Sequence, residues 1–349
     1  MKQIASLILT VCLSITAARA ADHIVYEGKD GPGKGKHVVF LTGDEEYRSE
    51  EGLPMLAKIL SQRHGFKCTV LFSVDEDGTI NPNNGASLSH PASLDTADAI
   101  VILTRFRKWN EEALKKFEAA VNRGIPIVGL RTATHAFNGI PKDSPYAKWN
   151  WNNPDGGWGR AVLGETWVSH WGKHRAEATK GVIDAAAKDN PILRGVTDVF
   201  GTTDVYEAAP PADATILMRG LSLKGMNPTD EPADYKKKNR AGVEQPLNDP
   251  AMPIAWTREV KNDAGKTNKV FCTTMGAATD LTSEGLRRLV VNGVFWGLGL
   301  EVPAKADVTY VDPFNPLMYG TKDGPDESDP HRFRGFKKGV KPDDLAIGK

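Results

Sequence analysis

Residues 125–139 read IPIVGLRTATHAFNG: an apolar run from Ile125 to Leu130 stops at Arg131, and polar residues and His135 follow. Such a run predicts a buried strand that turns sharply into a short helix. A nucleophile elbow shares this layout and places Ser or Cys at the turn. Here Arg131 holds that place, with His135 four residues further on.

The segments before it repeat the pattern. KHVVFLTG (36–43), KCTVLFS (67–73) and AIVILTR (99–105) are further apolar strands, while SEEGLPMLAKILSQRHG (49–65) and NEEALKKFEAAVNRG (110–124) have helical periodicity. Ser49 and Asn110 read as N-caps and Gly65 as a stop. Strands apolar throughout and alternating with helices predict an α/β fold, a parallel sheet with helices on both faces. Right-handed crossovers make a flavodoxin-like order the leading topology.

Beyond Asn138 the regular pattern stops. YAKWNWNNPDGGWGRAVLG (146–164) sets three Trp among Asn, Gly and Pro, which predicts a long ordered loop. An additional β segment is expected next, at TWVSHW (166–171), HRAEATK (174–180), DVYEA (204–208) and ATILMRG (214–220), with a helical turn at NPILRGV (190–196). Residues 224–252 are Pro-rich, charged and aperiodic, so they read as an insertion. MPIAWTREV (252–260) and KVFCTTMG (269–276) form a hairpin, and SEGLRRLVVNGVFWGLGL (283–300) is the last core helix. These assignments give a lead-in over 21–36, a domain over 37–302 and a Pro/Gly/Lys-rich tail over 303–349 that wraps the surface.

Lys2, the apolar stretch Ile4 to Ile15 and Ala18-Arg19-Ala20 match a secretory signal peptide over 1–20. A mature chain starting near Ala21, periplasmic or secreted, is therefore expected. The stretch is shorter than the roughly 20 apolar residues a membrane span requires, and no later one approaches that. With 44 basic against 44 acidic residues and no basic stripe, the chain does not read as a nucleic-acid binder. Cys68 and Cys272 remain after cleavage; the compartment allows one disulfide, and two buried thiols fit equally. The oligomeric state cannot be read.

DNPILRGV (189–196), DVYEA, PIAWTREV (253–260), KVFCTTMG and LRRLVVNGVFWGLGL (286–300), in that order, resemble the ThuA-like (trehalose utilisation) family across roughly residues 37 to 300. VFLTGDEEYRSEE (39–51) and VGLRTATHAF (128–137) look like the variant found in exported proteins of environmental bacteria. The resemblance implies a class I glutamine amidotransferase-like fold and disaccharide catabolism, including routes through 3-keto sugars. GLRTAT carries Arg131 where an amidotransferase has its Cys, which excludes amidotransfer. Gly276-Ala277 stands where members often carry Gly-His.

In an open parallel sheet, ligands bind outside the carboxyl ends of the strands. GDEEYR (43–48), RFRKW (105–109) and RTATH (131–135) arrive there. Glu45, Glu46, His135 and Arg131 are the expected catalytic set: Glu45 or Glu46, with His135, exchanges protons with the sugar, while Arg131 and His170 orient or polarise it. Asp44, Arg105, His170, Asp204, Glu207, Trp158 and Trp171 are expected to bind a small carbohydrate, with one or two Trp faces under sugar rings. Arg107 accompanies Arg105. A divalent metal on His135, His170 and an acidic partner is an option, without a tight ligand motif to support it.

Each residue also has a plainer use. The acids suit a helix N-terminus, Arg131 an internal ion pair, Asp204 and Glu207 a polar strand face, and the Trp residues a small core under the loop. His170 and His174 have a spacing that would share a helix face, but Gly172 and the β-forming neighbours favour a strand and turn; the family resemblance implies a His near His170, which ranks His174 last. Two functions follow: a hydrolase or lyase acting on (3-keto) glycosides by acid–base chemistry, or a noncatalytic carbohydrate-binding or scaffold protein.

Overall fold

The structure, a computed structural model, describes residues 21–321, 324–325 and 333–349, so the leader expected over 1–20 lies outside the described residues. The strands as far as residue 273, in chain order, are β1 (His23–Tyr26), β2 (His37–Leu41), β3 (Lys67–Leu71), β4 (Ala99–Ile102), β5 (Ile127–Leu130), β6 (Thr179–Ile183), β7 (Phe200–Gly201), β8 (Thr215–Ser222), β9 (Lys236–Lys238), β10 (Glu244–Pro246), β11 (Met252–Lys261) and β12 (Thr267–Thr273). The α-helices are α1 (Ser49–His64), α2 (Glu111–Asn122) and α3 (Glu284–Gly297).

Parallel pairing joins β3, β2, β4, β5 and β12 side by side. Counted along the chain this is the order 2-1-3-4-5 of flavodoxin-like sheets, which reverses direction between β2 and β4. Antiparallel strands extend both edges, β1 beyond β3 and β11, β8, β6 and β7 beyond β12, to make ten strands. The apolar runs are strands because both faces are covered: Val38 and Phe40 enter a core with α1 and α3, Val39 and Leu41 one with α2. Asn110 caps α2 by accepting from the Ala113 amide, and Gly65 closes α1 at φ 80°.

Several expectations change. Ser49 does not cap α1: Arg48 takes that position at φ 58°, and the Ser49 hydroxyl accepts from the amides of Gly43 and Asp44 at 3.0 and 3.1 Å. The turn after β2 needs those acceptors more than the helix does. TWVSHW and DVYEA are not strands; among the described residues a lone bridge between His170 and Tyr206 is their only ladder contact. HRAEATK is a turn that leads into β6. The insertion contains a hairpin of β9 and β10. Cys68 and Cys272 are free and buried. Residues 317 and 320 meet the turn after β2 and α1, with Glu51 accepting from the Leu317 amide and the Gly320 amide donating to Glu46 O.

Candidate functional site

The elbow persists without a nucleophile. Arg131 has φ 41°, its amide bonds Met275 O at 3.0 Å, and a 3-10 helix runs from Arg131 to His135. Its guanidinium is fully buried. Nη1 donates to the carbonyls of Asp204 and Thr274 at 2.8 Å, and Nη2 to Asp204 Oδ1 at 3.1 Å and Tyr47 OH at 3.3 Å. The charge lies 3.7 Å from the Tyr206 ring centre and 4.7 Å from that of Tyr47. Arg131 therefore acts as a hub that fixes Asp204; sealed in this way, it cannot touch a substrate.

Asp204 is the centre. Its buried carboxylate accepts from His170 Nδ1 at 2.8 Å and His174 Nδ1 at 3.0 Å. Burial favours its neutral form, but the two imidazoles and Arg131 outweigh that and hold it well below the usual carboxylate range. On its other side His174 meets Glu46, with Nε2 3.2 Å from Oε1. Burial works against charge on His174, yet the bonds to Asp204 and Glu46 prevail and raise its pKa. The same balance, with His174 and then Arg105 as partners, lowers that of Glu46. His170 keeps 34% of its side chain exposed, and its ring stands 4.3 Å from that of His174.

The three acids of the first turn separate. Asp44 is buried and holds the turn, accepting from the amides of Glu46 and Tyr47 at 2.8 and 2.9 Å and from Thr132 Oγ1. Glu45 is clamped by Arg105 and by Arg107 Nη2 at 2.7 Å, an ion-pair cluster between the segments that follow β2 and β4, the pair at which strand order reverses. Burial and the Asp44 charge nonetheless raise its pKa against both arginines. Glu46 alone reaches the histidines.

His135 is 3% exposed, and among the described residues its ring bonds only Thr134 Oγ1, at 3.2 Å. Burial, then the charges of Arg105 and Arg131, push its pKa well below the usual value, so it is a neutral ring. No ion pair joins it to Glu45 or Glu46. It backs an aromatic wall instead, with Phe106 at 5.3 Å and Trp167 at 5.9 Å, and Trp151 5.8 Å from Trp167. Trp158 and Trp171 do not face this wall: both are buried in the apolar cores, where Trp171 Nε1 bonds Leu247 O. Glu207 points away from Asp204 and accepts from Ser169 Oγ and the Arg240 amide.

Sequence reasoning ranked His174 last and missed Tyr319. The turn at 172–177 brings His174 back over His170, through Glu177 Oε2 accepting from the Lys173 amide. Tyr319 from the tail stacks 5.3 Å from Tyr47 and 5.8 Å from His174, and no local signal marks it. Ligand atoms of His170, His174 and Asp204 lie within 4.8 Å of one another, a donor set that suits a divalent cation; His135 is not part of it. A cavity of about 300 Å³ beside α2, lined by Trp149, Trp158 and Asn262 among others, gathers no histidine.

Fold and site define a class: an amidotransferase-like α/β scaffold with arginine at its elbow and a His–Asp–His–Glu cluster beside it. Residues 37–297 match the ThuA family, described as trehalose utilisation, and the chain belongs to that family. A ThuA-like protein of Parabacteroides merdae ATCC 43184 is similar in structure, at 14% identity and TM-score 0.46, over 88% of this chain and 99% of that one. One from Bacteroides uniformis ATCC 8492 has 15% identity and TM-score 0.44, over 77% and 92%. The exo-β-1,4-mannosidase Op5Man5 of Opitutaceae bacterium strain TAV5 follows at 11% identity and TM-score 0.29, over 77% of this chain and 36% of that one. No curated protein matches the chain.

Proposed function

We propose that this ThuA family member is exported and cleaves glycosides, 3-keto glycosides foremost, by acid–base chemistry on His170 and His174. The observation that carries the reading is one buried carboxylate, Asp204, bonded to Nδ1 of both imidazoles. A carboxylate so placed fixes the tautomer of His170 and leaves Nε2 as the base. His174, favoured in its charged form by Asp204 and Glu46, is the complementary acid once the leaving oxygen takes the place of Glu46 at Nε2.

In a 3-keto glycoside the hydrogen beside the carbonyl, on the carbon next to the anomeric one, is acidic. His170 removes it, the electron pair forms a double bond to the anomeric carbon, and the glycosidic oxygen leaves with a proton from His174. Water added across that double bond completes hydrolysis; without it the enzyme is a lyase. Arg105, 20% exposed in its side chain, lies beside Glu46 and is suited to hydrogen-bond the carbonyl. Phe106, Trp151 and Trp167 offer faces for the sugar's C–H groups. A divalent cation on His170, His174 and Asp204 would supply Lewis-acid polarisation from the same residues.

The test is incubation with a 3-keto-disaccharide and its unoxidised parent, followed by chromatography of the products. Turnover of the keto sugar that His170→Ala and His174→Ala each abolish is the expected result. Binding of both sugars without product would instead mark a carbohydrate-binding protein on an inherited fold.

A further inference from the structure

A second histidine cluster sits at the outer edge of the sheet, on β1. We propose that the processed N-terminus, Ala21-Asp22-His23, is a binding site for one Cu(II) or Ni(II) ion. The inference rests on the export reading, because cleavage after Ala20 is what frees the amine of Ala21.

A free amine, two amides and a histidine in third position wrap a small ion with four nitrogens in one plane: the Ala21 amine, the amides of Asp22 and His23, and His23 Nδ1. A square of nitrogen donors suits Cu(II) and Ni(II). One residue more or less before the histidine breaks the chelate.

The fold leaves the His23 amide available, while His23 Nδ1 would exchange its 2.9 Å contact with Asp22 Oδ1 for the metal. Ala21 is exposed and Asp22 and His23 are half-buried. His23 stands opposite Leu71 in the antiparallel pair, while the Leu71 carbonyl accepts from the Thr42 amide on the other side of β3. Leu71 thus turns its polar groups toward β2, and His23 occupies a non-hydrogen-bonded position with its N–H directed off the edge. Losing that proton to a metal breaks no ladder bond.

The surroundings add further donors. Asp22 Oδ1 lies 2.9 Å from His23 Nδ1 and 4.0 Å from His90 Nδ1. The rings of His23 and His90 stack at 3.9 Å and 14°, and the ligand atoms of Asp22, His23 and His90 lie within 4.8 Å of one another. His90 shields one side of the square, and Asp22 can give a weaker fifth bond. Binding releases the two amide protons, so it strengthens as pH rises.

The precursor is expressed with its leader, the mature protein recovered, and its mass used to fix the first residue. Cu(II) is then titrated against a glycine competitor while the visible band of square-planar copper is followed. One equivalent is expected to bind the chain beginning at Ala21, and the band to vanish in His23→Ala and in a chain carrying one extra Gly before Ala21. Loss of His90 by His90→Ala lowers affinity by about tenfold without removing the band. Equal binding by the Gly-extended chain, or no band in the chain starting at Ala21, overturns the site. A first residue other than Ala21 overturns the cleavage reading alone; a chain cut to Ala21 from a fusion then tests the site by itself.

Discussion

Nε2 of His174 lies 3.2 Å from Oε1 of Glu46, joining the turn after β2 to a loop more than a hundred residues away. The pair makes the site sensitive to pH. The folded state raises the pKa of His174 above the ordinary 6.5, so its contribution to stability is complete below 6.5 and disappears as pH rises through the folded value. Urea titrations of wild type and His174→Ala should differ most at acidic pH and converge at alkaline pH. Glu46→Gln should lower turnover roughly 100-fold, the lower range for a lost acid–base partner, without unfolding the protein. Parallel stability curves for wild type and His174→Ala across this range would contradict the pairing.

Arg131→Ala leaves Asp204 buried with a charge and two imidazoles but no guanidinium. Loss of one partner from a buried ion pair costs about 3–5 kcal/mol. The melting temperature should fall accordingly, and Arg131→Lys should rescue little, since an ammonium cannot serve two carbonyls, a carboxylate and two aromatic faces together. A stable, inactive Arg131→Ala would instead assign Arg131 direct contact with substrate.

The parallel half of the fold was legible because its strands are buried on both faces, so that Ile127–Leu130 and His37–Leu41 carry their environment in their composition. The segments at 166–171 and 204–208 have strand-like composition but form only one bridge, since their side chains are used to surround Arg131 and His135. Strand ends bring Glu46 and Arg105 together, 3.3 Å apart. They also suggested His135 and Arg131 as reacting groups, and burial depth, which no sequence period records, assigns those two to the support. His174 and Tyr319 depend on a turn and a tail that return from far along the chain. Spacing cannot express such closure.

Glu50 is a second pH-sensitive group. Both its carboxylate oxygens are buried without a hydrogen-bond partner, and burial pushes its pKa up to about 7 although Arg48 Nε lies 3.7 Å away. The folded state keeps this proton up to about pH 7 while the unfolded chain loses it near 4.5, so stability falls as pH rises between those values. The penalty above pH 7 is of the order of 3 kcal/mol. Glu50→Gln should therefore gain stability over wild type progressively from pH 5 to pH 7, as read by chemical denaturation. A constant difference across this range would refute the account.

Cys68 lies on β3 and Cys272 on β12, with β2, β4 and β5 between them. Four strand spacings are roughly 19 Å, far beyond disulfide reach. Even in an oxidising compartment both thiols should stay reduced. A thiol reagent should label neither in the folded protein, where burial raises both pKa values, and should label both in denaturant without reductant. A chain that takes up no reagent at either cysteine under denaturing conditions, with a mass two hydrogen atoms below that of the reduced form, would reveal the cross-link that the sheet forbids.

Tyr319 ties the tail to the site: it is fully buried, its hydroxyl donates to Thr202 O at 3.0 Å, and its ring packs on Tyr47 and beside His174. Tyr319→Phe removes only the hydrogen bond and should cost about 1 kcal/mol while leaving turnover near wild type. Tyr319→Ala opens a cavity against Tyr47, whose hydroxyl is bonded to Arg131, and should cost about 3–5 kcal/mol. The structural chain from Tyr319 through Tyr47 and Arg131 to Asp204 then loses its outer support. Turnover by the folded Tyr319→Ala protein, assayed well below its melting temperature, should fall along with its stability. If that protein is destabilised yet cleaves the sugar at the wild-type rate, the tail is a fastening for α1 and Asp204 keeps its geometry without it.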